Sequence, residues 1–373
     1  MRITVCGDFS PKYRLTALLE KEDYSAIFSD VKPIFDEADF NIVNFESTIP
    51  SYGEKAIKKN GPNLSCSAKS VSALKWAGIN VVTLANNHAG DYGPKSLINT
   101  ISLLEQSKIS HVGAGKNIDD SRKILYLEKD GEVLAIINCC EHEYGIASPD
   151  KAGTNPLDPI NQYYDIQQAK KKADYVLVIV HGGAEEFKLP TLRMQDTYRF
   201  FIDAGADAVI NHHQHCYSGR EIYKGKPIYY GLGNFAFDYL KVKKLSSEGI
   251  IVSLNLTKDK IEHRYLPYVQ FDNRVGIHPV VDTTDFEKKI NELSAIIADR
   301  QQLEKQVEKY FKSWQATVRA RLEPYSGRIL KSLYSRGCLP SLLSNSNMRV
   351  LQNMVNCETH RERLQFTLNN HLK

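Results

Sequence analysis

The feature that most constrains the fold is a series of short apolar runs, each of which stops at a side chain able to bind a metal. Helix-like segments separate these runs as far as residue 210, and an antiparallel set of strands follows from Arg220 to Val269. The run Tyr175–Val180 is apolar at every position, which is typical of a strand buried on both faces. This order predicts an α/β protein with two sheets packed face to face and helices outside.

Apolar periodicity, turn residues and proline positions set the predicted elements. The predicted strands are 2–6, 40–45, 79–84, 123–127, 133–138, 175–180, 208–210, 220–223, 227–230, 249–256 and 260–269. The predicted helices are 67–77, 94–106, 163–172, 192–204 and a long one at 285–320. Ser51–Ser65 is predicted to be a loop that faces substrate, because it is long and contains glycine, proline and a lysine pair, Lys58-Lys59.

The clearest ligand signal follows the run Ala208–Ile210, where three histidines occur within four residues. If the strand stays extended, His213 and His215 point the same way, because residues i and i+2 share a face. Two adjacent imidazoles make half of a metal site. The competing interpretation is a surface histidine cluster without a ligand.

The other runs end at similar side chains. The full set is Asp8, Glu46, Asn87, His88, His181, His213 and His215. Each has an ordinary alternative: Asp8 as a helix cap, Asn87 as a turn residue, His181 as a core histidine. Together they predict an active site at the strand ends of a layered α/β fold. Mixed nitrogen and oxygen ligands indicate two divalent ions, Mn, Fe or Zn, which generate a hydroxide nucleophile and clamp a phosphoryl group.

Six blocks of sequence carry a family resemblance. They are Gly7-Asp8, Asn44-Phe45-Glu46-Ser47, Leu84 to Gly93 with the core Asn86-Asn87-His88, His181-Gly182-Gly183-Ala184-Glu185, Asn211 to His215, and Tyr230 to Asp238 with Leu232-Gly233-Asn234-Phe235. In order and spacing they resemble the CapA family of capsule and poly-γ-glutamate biosynthesis, a branch of the calcineurin-like metallophosphoesterases. The resemblance covers Arg2 to Val269.

The resemblance implies a four-layer α/β/β/α metallophosphatase-like sandwich with a dinuclear site. By position, Asp8 and His215 hold one metal. Asn87, His181 and His213 hold the other, with Glu46 in the bridging position.

The same resemblance makes His88 the general acid for the leaving group, oriented by Asp91. It places Glu185 and Asn234 nearby as residues that contact substrate or support the ligands.

The chain departs from the superfamily pattern in its first motif. Asp8-Phe9-Ser10 stands where the wider superfamily has Asp-x-His, so one histidine ligand is missing, as is usual in the CapA branch. Glu46 replaces a bridging Asp and reaches one methylene further. Glu141 and His142, at another strand end, are candidates for the missing ligand, with surface loop residues as the alternative. Within the branch pattern, Asn211, Gln214, Gly182 and Gly231 replace Gly, Pro, Trp and Ser.

The domain expectation is a CapA-like domain at 1–275 and a basic helical extension at 283–373. Thr283–Lys373 contains fifteen Lys and Arg against nine Asp and Glu, a net charge of +6. The remainder of the chain has a net charge of −2, which gives +4 for the whole chain. Such a segment is usually a solvated face, and the alternative is docking to an anionic polymer, a membrane surface or other capsule-biosynthesis proteins.

The compartment expectation is cytoplasmic, peripheral at the membrane being the alternative. The seven cysteines lack paired spacing and are predicted to be reduced thiols. The sequence contains no signal-peptide pattern at its start and no apolar run long enough for a membrane span.

Two functions compete. The first is a metal-dependent hydrolase or transferase acting on a phosphoester or on a phosphorylated or anionic polymer intermediate in cell-surface polymer biosynthesis. The second is a non-catalytic, metal- or polymer-binding assembly factor of a capsule machine. A nuclease is a weaker third reading, because the charge is modest and no stripe of basic and aromatic residues is present, so no nucleic-acid partner is expected.

Overall fold

A computed structural model describes residues 1–238, 246–258, 260–325 and 327–371. Its strands, in chain order, are β1 (Arg2–Phe9), β2 (Phe40–Phe45), β3 (Val81–Thr83), β4 (Ser110–Val112), β5 (Ala114–Gly115), β6 (Leu125–Lys129), β7 (Glu132–Cys140), β8 (Gly153–Thr154), β9 (Tyr175–His181), β10 (Ala208–His212), β11 (Arg220–Tyr223), β12 (Lys226–Tyr229), β13 (Asn234–Ala236), β14 (Glu248–Leu256), β15 (Ile261–Gln270) and β16 (Ile277–Pro279). Its helices are α1 (Tyr13–Glu20), α2 (Ser25–Phe28), α3 (Lys32–Asp36), α4 (Lys69–Ala77), α5 (Gly93–Gln106), α6 (Ile118–Ser121), α7 (Pro159–Lys170), α8 (Leu192–Asp203), α9 (Thr284–Ala298), α10 (Arg300–Leu322), α11 (Arg328–Ser335), α12 (Asn345–Asn356) and α13 (Glu358–His371).

These strands form two large sheets. The first has the order β16-β15-β14-β1-β2-β3-β4, with β13 also paired to β1, and the second has the order β11-β12-β10-β9-β7-β6. In the first sheet β1 to β4 are parallel and β14 to β16 are antiparallel. In the second, β7, β9, β10 and β12 are parallel. The carboxyl ends of the parallel strands carry the candidate ligands.

Three apolar clusters separate the layers. The middle cluster joins the two sheets, with Ile3 and Val5 of β1 facing Ile136 of β7 and Leu177 of β9. A second cluster packs the first sheet on α1, α4 and α5, and a third packs the second sheet on α7 and α8. The order is therefore helix, sheet, sheet, helix, and the predicted α/β/β/α sandwich is confirmed.

Alternation along the strands explains this layering. In β9, Val176, Val178 and Val180 enter the helix-side cluster, whereas Leu177 and Ile179 enter the cluster between the sheets. Because both faces are covered, the strand is apolar at every position, as the sequence indicated.

The long helix predicted at 285–320 is divided in two. Asp299 has an extended conformation (φ −93°, ψ 100°) and ends α9, and α10 begins at Arg300. The Asp299 side chain then accepts hydrogen bonds from the amides of Gln301 and Gln302. An aspartate that bonds two following amides favours a helix start over a helix interior, which explains the division.

The described chain divides into two compact units, Met1–Val307 and Glu308–Lys373. Helix α9, assigned above to the extension, packs within the first unit: the ring of Phe286 lies 5.2 Å from that of Tyr217, and Ser294 Oγ accepts the amide of Arg220 at 3.0 Å. That the last residues form a separate domain stays a prediction. Among the described residues, no helix has the length and apolar character needed to cross a membrane.

Candidate metal centre

Asp8 reaches the site because β1 and β13 approach each other unusually closely. The register of β1 against β2 shifts between Cys6 and Asp8, and Asp8 is paired with Asn234 of β13. A Cβ atom on Gly7 would lie 1.8 Å from the carbonyl oxygen of Gly233. Only glycine permits this approach, so Gly7 fixes the position of the next residue.

Glu46 follows β2 directly and is completely buried. Its amide donates to the carbonyl of Phe9 at 3.0 Å, which fixes the backbone. Neither carboxylate oxygen has a hydrogen-bond partner. Burial, followed by the charge of Asp8 and of other nearby carboxylates, raises the pKa of Glu46 well above its usual value. A buried carboxylate without donors is costly, so this position calls for a cation.

The three candidate ligand histidines come from two neighbouring strands or follow them directly. His181 is the last residue of β9, whereas β10 ends at His212 and the other two histidines follow it. His213 and His215 have positive φ angles of 88° and 54°. The expectation that both sit on an extended strand end is therefore wrong. The left-handed backbone sends the two rings to different partners.

The ligand atoms form two groups. The first ligand group is Glu46, His181 and His213, and the second ligand group is Asp8, Glu46 and His215. Within each, the atoms that would face an ion lie within 4.8 Å of one another, and Glu46 belongs to both. The Oε1 atom of Glu46 is 3.6 Å from Nε2 of His181 and 3.9 Å from Nε2 of His215.

The distances within the first ligand group fit a shared ion. Nδ1 of His213 and Oδ1 of Asn87 each lie 3.0 Å from Nε2 of His181. Ligand atoms bonded to one ion at about 2.1 Å lie roughly 3 Å apart when the bonds are perpendicular. The donor set, the spacing and the unsatisfied carboxylate of Glu46 together fit two divalent ions. No coordinating thiolate is present in either ligand group.

Asn87 presents its oxygen to the first ligand group because its nitrogen is engaged elsewhere. Its Nδ2 donates to Oε2 of Glu143 at 2.7 Å. Glu143, missed from the sequence, is the third residue of the strand-end run Glu141-His142-Glu143. The two residues proposed from that run lie elsewhere: Glu141 pairs with Arg193, and His142 is exposed. Neither belongs to a ligand group.

Two asparagines orient the ligands. Asn44 donates from Nδ2 to Oδ1 of Asp8 at 2.7 Å and lies 3.1 Å from Nδ1 of His181. Asn234 accepts from Nδ1 of His215 at 2.9 Å, which directs Nε2 of His215 toward Glu46. Asn44 was not predicted, although it lies in one of the six blocks. Burial, followed by neighbouring histidines, lowers the pKa of His181 well below its usual value, so the ring is neutral and able to bind metal.

His88 lies beside the ligand groups without belonging to either. Its Nε2 is 4.0 Å from Oε1 of Glu46, and its Nδ1 donates to Oδ2 of Asp91 at 2.6 Å. The side chain of Asn86 accepts the amides of His88 and Ala89, which fixes this turn. Burial lowers the pKa of His88, against the opposing effect of Asp91.

Two further residues complete the site. Lys59, on the loop Ser51–Ser65, pairs with Asp91 and was not predicted; the only sequence signal was the loop itself. Glu185 is exposed, and after burial and the charge of Asp8 its charge adds to the raised pKa of Glu46.

The fold and the site thus define a four-layer α/β/β/α protein with a candidate dinuclear metal centre at its strand ends. The sequence pattern of the bacterial capsule synthesis protein PGA_cap family matches residues 2–239, and the chain belongs to that family.

Two curated relatives support the family assignment. The capsule biosynthesis protein CapA of Bacillus anthracis is 32% identical over 246 residues, covering 64% of this chain and 60% of the relative. The PGA biosynthesis protein CapA of Bacillus subtilis is 32% identical over 235 residues, covering 62% of each. The match thus spans about three fifths of each relative.

Similar solved structures include a phosphatase from Mycoplasma pneumoniae, with a TM-score of 0.46 and 16% identity over 72% of this chain and 93% of that one. Another is the NAD nucleotidase NadN of Haemophilus influenzae, with a TM-score of 0.41 and 14% identity over 84% of this chain and 67% of that one.

Proposed function

We propose that this chain is a metal-dependent hydrolase or transferase that acts on a phosphoester or on a phosphorylated or anionic polymer intermediate in the biosynthesis of a capsule, poly-γ-glutamate or another cell-surface polymer. The single observation that carries the proposal is the buried, unbonded carboxylate of Glu46 between two ligand groups. The polymer context rests on the family and on the names of its relatives.

In this proposal each ligand has a defined place. Asp8 and His215 would hold one ion, Asn87, His181 and His213 would hold the other, and Glu46, which belongs to both ligand groups, would be shared between them. When bound, two such ions polarise the phosphoryl group and lower the pKa of water, which supplies the nucleophile. Asn44 and Asn234 keep the ligand rings and carboxylate in orientation.

His88 is the proposed general acid and Asp91 holds its ring. The oxygen of water bonds to phosphorus, and the bond between phosphorus and the leaving oxygen breaks. The proton on Nε2 of His88 moves to that leaving oxygen, and the water releases a proton to solvent. His88 suits this role because its Nε2 faces the ligand groups while Nδ1 is fixed by Asp91.

The test is hydrolysis of p-nitrophenyl phosphate and bis-p-nitrophenyl phosphate by the full chain with added Mn²⁺, Fe²⁺ or Zn²⁺. We expect turnover that needs metal and is abolished by chelator. Phenyl phosphate, whose basic leaving group needs a proton, is added as a third substrate, and its turnover should be greatly reduced in His88→Ala. Metal-loaded protein that hydrolyses neither these esters nor a phosphorylated polymer intermediate would contradict the proposal.

A non-catalytic assembly factor is the second candidate. Its support is the unit Glu308–Lys373, which carries eleven Lys and Arg against four Asp and Glu, a net charge of +7. Helix α10 also exposes an apolar stripe within this unit: Phe311, Trp314, Val318 and Leu322. A basic, partly apolar surface suits an anionic polymer, another capsule-biosynthesis protein or a peripheral position on a membrane.

Complementation separates the two candidates. A strain that lacks this protein is supplied with His88→Ala or with a chain truncated after Val307. The enzyme proposal predicts polymer loss with His88→Ala. Normal polymer with His88→Ala, and loss only with the truncation, would favour the assembly factor.

A further inference from the structure

Lys59 is a buried cation on a loop without regular structure. Residues 51–65 contain neither helix nor strand apart from a bridge of Ser65 to Thr48, yet the Lys59 side chain is only 2% exposed. Desolvating an ammonium group is expensive, and buried ion pairs seldom stabilise a fold more than apolar residues of the same size. Stability alone therefore accounts poorly for a lysine at this position.

The contacts of Lys59 converge on the general acid. Its Nζ pairs with Oδ1 of Asp91, lies 3.2 Å from Nδ1 of His88 and donates to the carbonyl of Asn87 at 3.4 Å. The ring of Tyr144 covers the ammonium at 5.1 Å. Nδ1 of His88 already donates to Asp91, so Lys59 positions His88 through the carboxylate, while its charge adds to the burial that lowers the pKa of His88.

Asp91 is held on both of its oxygens. Oδ1 binds Lys59, and Oδ2 accepts from Nδ1 of His88 and from the amide of Leu64, each at 2.6 Å. The Asp91 carbonyl accepts the amide of Ile57 at 2.9 Å. The carboxylate therefore joins the loop to the general acid and holds Nδ1 of His88.

We propose that Lys59 is a positioning residue for catalysis: by binding Asp91 it holds the loop Ser51–Ser65 against the site and holds His88 with Nε2 directed at the ligand groups. This inference rests on the proposed function, because it assigns His88 the delivery of a proton to the leaving oxygen. It adds Lys59, from the loop Ser51–Ser65, to the residues that support proton delivery by His88.

The loss of a positioned acid has a specific kinetic signature. A good leaving group departs with little help from a proton, whereas a basic leaving group needs it. Without Lys59 the Asp91 carboxylate and the His88 ring gain freedom, so turnover of poor leaving groups should fall most. A merely structural defect would reduce turnover of all substrates by a similar factor.

The experiment compares Lys59→Met, Lys59→Arg and Lys58→Met in the full metal-loaded chain. Methionine keeps the length and removes the charge, arginine restores a cation, and Lys58 is an exposed neighbour on the same loop. For Lys59→Met we expect turnover of phenyl phosphate to fall roughly 10- to 100-fold and that of p-nitrophenyl phosphate less than about threefold. Lys59→Arg should recover part of the loss, and Lys58→Met should match the wild type. Equal loss on both substrates, or no loss, would overturn the proposal.

Amide hydrogen exchange provides a readout that does not need activity. Lys59→Met should accelerate exchange across residues 54–66, which include the Leu64 amide bound to Asp91, while Lys58→Met leaves it unchanged. Unchanged exchange in Lys59→Met would overturn the positioning role even if no substrate is turned over. Absence of any turnover by the wild type, with the exchange effect present, would instead reject the proposed function. If Lys59→Met fails to fold, Lys59→Gln keeps a polar side chain beside Asp91 and should show the same preferential loss on phenyl phosphate.

Discussion

Nε2 of His181 and Oε1 of Glu46 face each other at 3.6 Å in a fully buried position where the carboxylate has no donor. The same carboxylate oxygen lies 3.9 Å from Nε2 of His215, on the side of the second ligand group. Glu46 thus belongs to both candidate ligand groups, whose residues come from both sheets.

We expect the wild-type protein to bind about two divalent ions per chain, as a two-metal site does. Because Glu46 belongs to both ligand groups, Glu46→Gln should lose most of both ions. His213→Ala and His215→Ala should each lose about one. His142→Ala is the matched control, since His142 is exposed and outside both groups. Elemental mass spectrometry of dialysed protein measures the content. Retention of both ions by Glu46→Gln would contradict the bridging assignment.

We expect Glu46→Gln to stabilise the metal-free protein and to abolish its stabilisation by metal. A neutral amide is cheaper to bury than an unpaired carboxylate, so the free energy of unfolding should rise by roughly 1–3 kcal/mol at pH 7.5. Saturating metal should stabilise only the wild type, because ions bind the native state. Asp238→Asn is the control, since Asp238 is buried and paired with Arg14 at 2.8 Å, so its loss should destabilise. Urea unfolding with and without chelator measures both effects.

The stabilisation by Glu46→Gln should depend on pH. The folded-state pKa of Glu46 is raised above the usual 4.5, so the folded protein binds a proton where the unfolded chain does not. The buried carboxylate of Glu46 therefore lowers the free energy of unfolding most at a pH above the folded-state pKa. This destabilisation disappears as the pH falls toward 4.5. Metal-free wild type and Glu46→Gln should converge in stability on acidification. A difference that grows toward low pH would contradict burial as the cause.

We expect Asn234→Ala to weaken metal binding about 10- to 100-fold, as loss of a residue that orients a ligand does. Asn234 accepts from Nδ1 of His215 and so fixes the ring with Nε2 toward Glu46. Asn234→Asp keeps an acceptor at that position and should recover most of the affinity. Isothermal titration with Mn²⁺ or Zn²⁺ compares the three proteins. Equal affinity in Asn234→Ala and wild type would mean that His215 does not need this partner.

We expect His88→Ala to reduce turnover of phenyl phosphate by about 10²- to 10⁴-fold while metal content stays at the wild-type level. His88 is beside the ligand groups but in neither, so the ions do not depend on it. Asp91→Asn should give a smaller loss, because the ring remains but its orientation is less well held. His111→Ala is a control at a histidine paired with Glu105 at 3.2 Å. A His88→Ala protein that loses its metal would make His88 a ligand.

Part of the site could be predicted because each ligand type stands at a strand end that the sequence marks. The apolar runs Tyr175–Val180 and Ala208–Ile210 are continuous, since both faces of β9 and β10 are buried, and each run stops within two residues of the histidine that ends its strand. The alternation of strands and helices, followed by antiparallel strands, likewise predicted the two sheets, because each apolar run marks a buried strand. The division at Asp299 was missed because its side chain caps a new helix within a segment of uniform helical composition.

The arrangement of those residues could not be predicted, because it depends on contacts between distant parts of the chain. Asn87 meets His181 across 94 residues, and the amide of His213 meets Asp8 across 205. The predicted loop and its lysine pair did not single out Lys59, since a lysine in a loop is ordinarily solvated, and only its burial against Asp91 distinguishes it from Lys58. The sequence does not distinguish Glu143 from Glu141. In the structure, Glu143 accepts from Asn87, whereas Glu141 pairs with Arg193.

The sequence by itself thus determined the layers and the chemistry available at the strand ends, since burial on two faces and the choice of ligand atoms are recorded in local residue patterns. Tertiary structure alone decided that Glu46 is shared by two groups, that His213 and His215 point to different partners through left-handed backbone, and that a loop lysine holds Asp91. These depend on sheet register, on the close approach of Gly7 to Gly233 and on burial, which exist only once both sheets have packed.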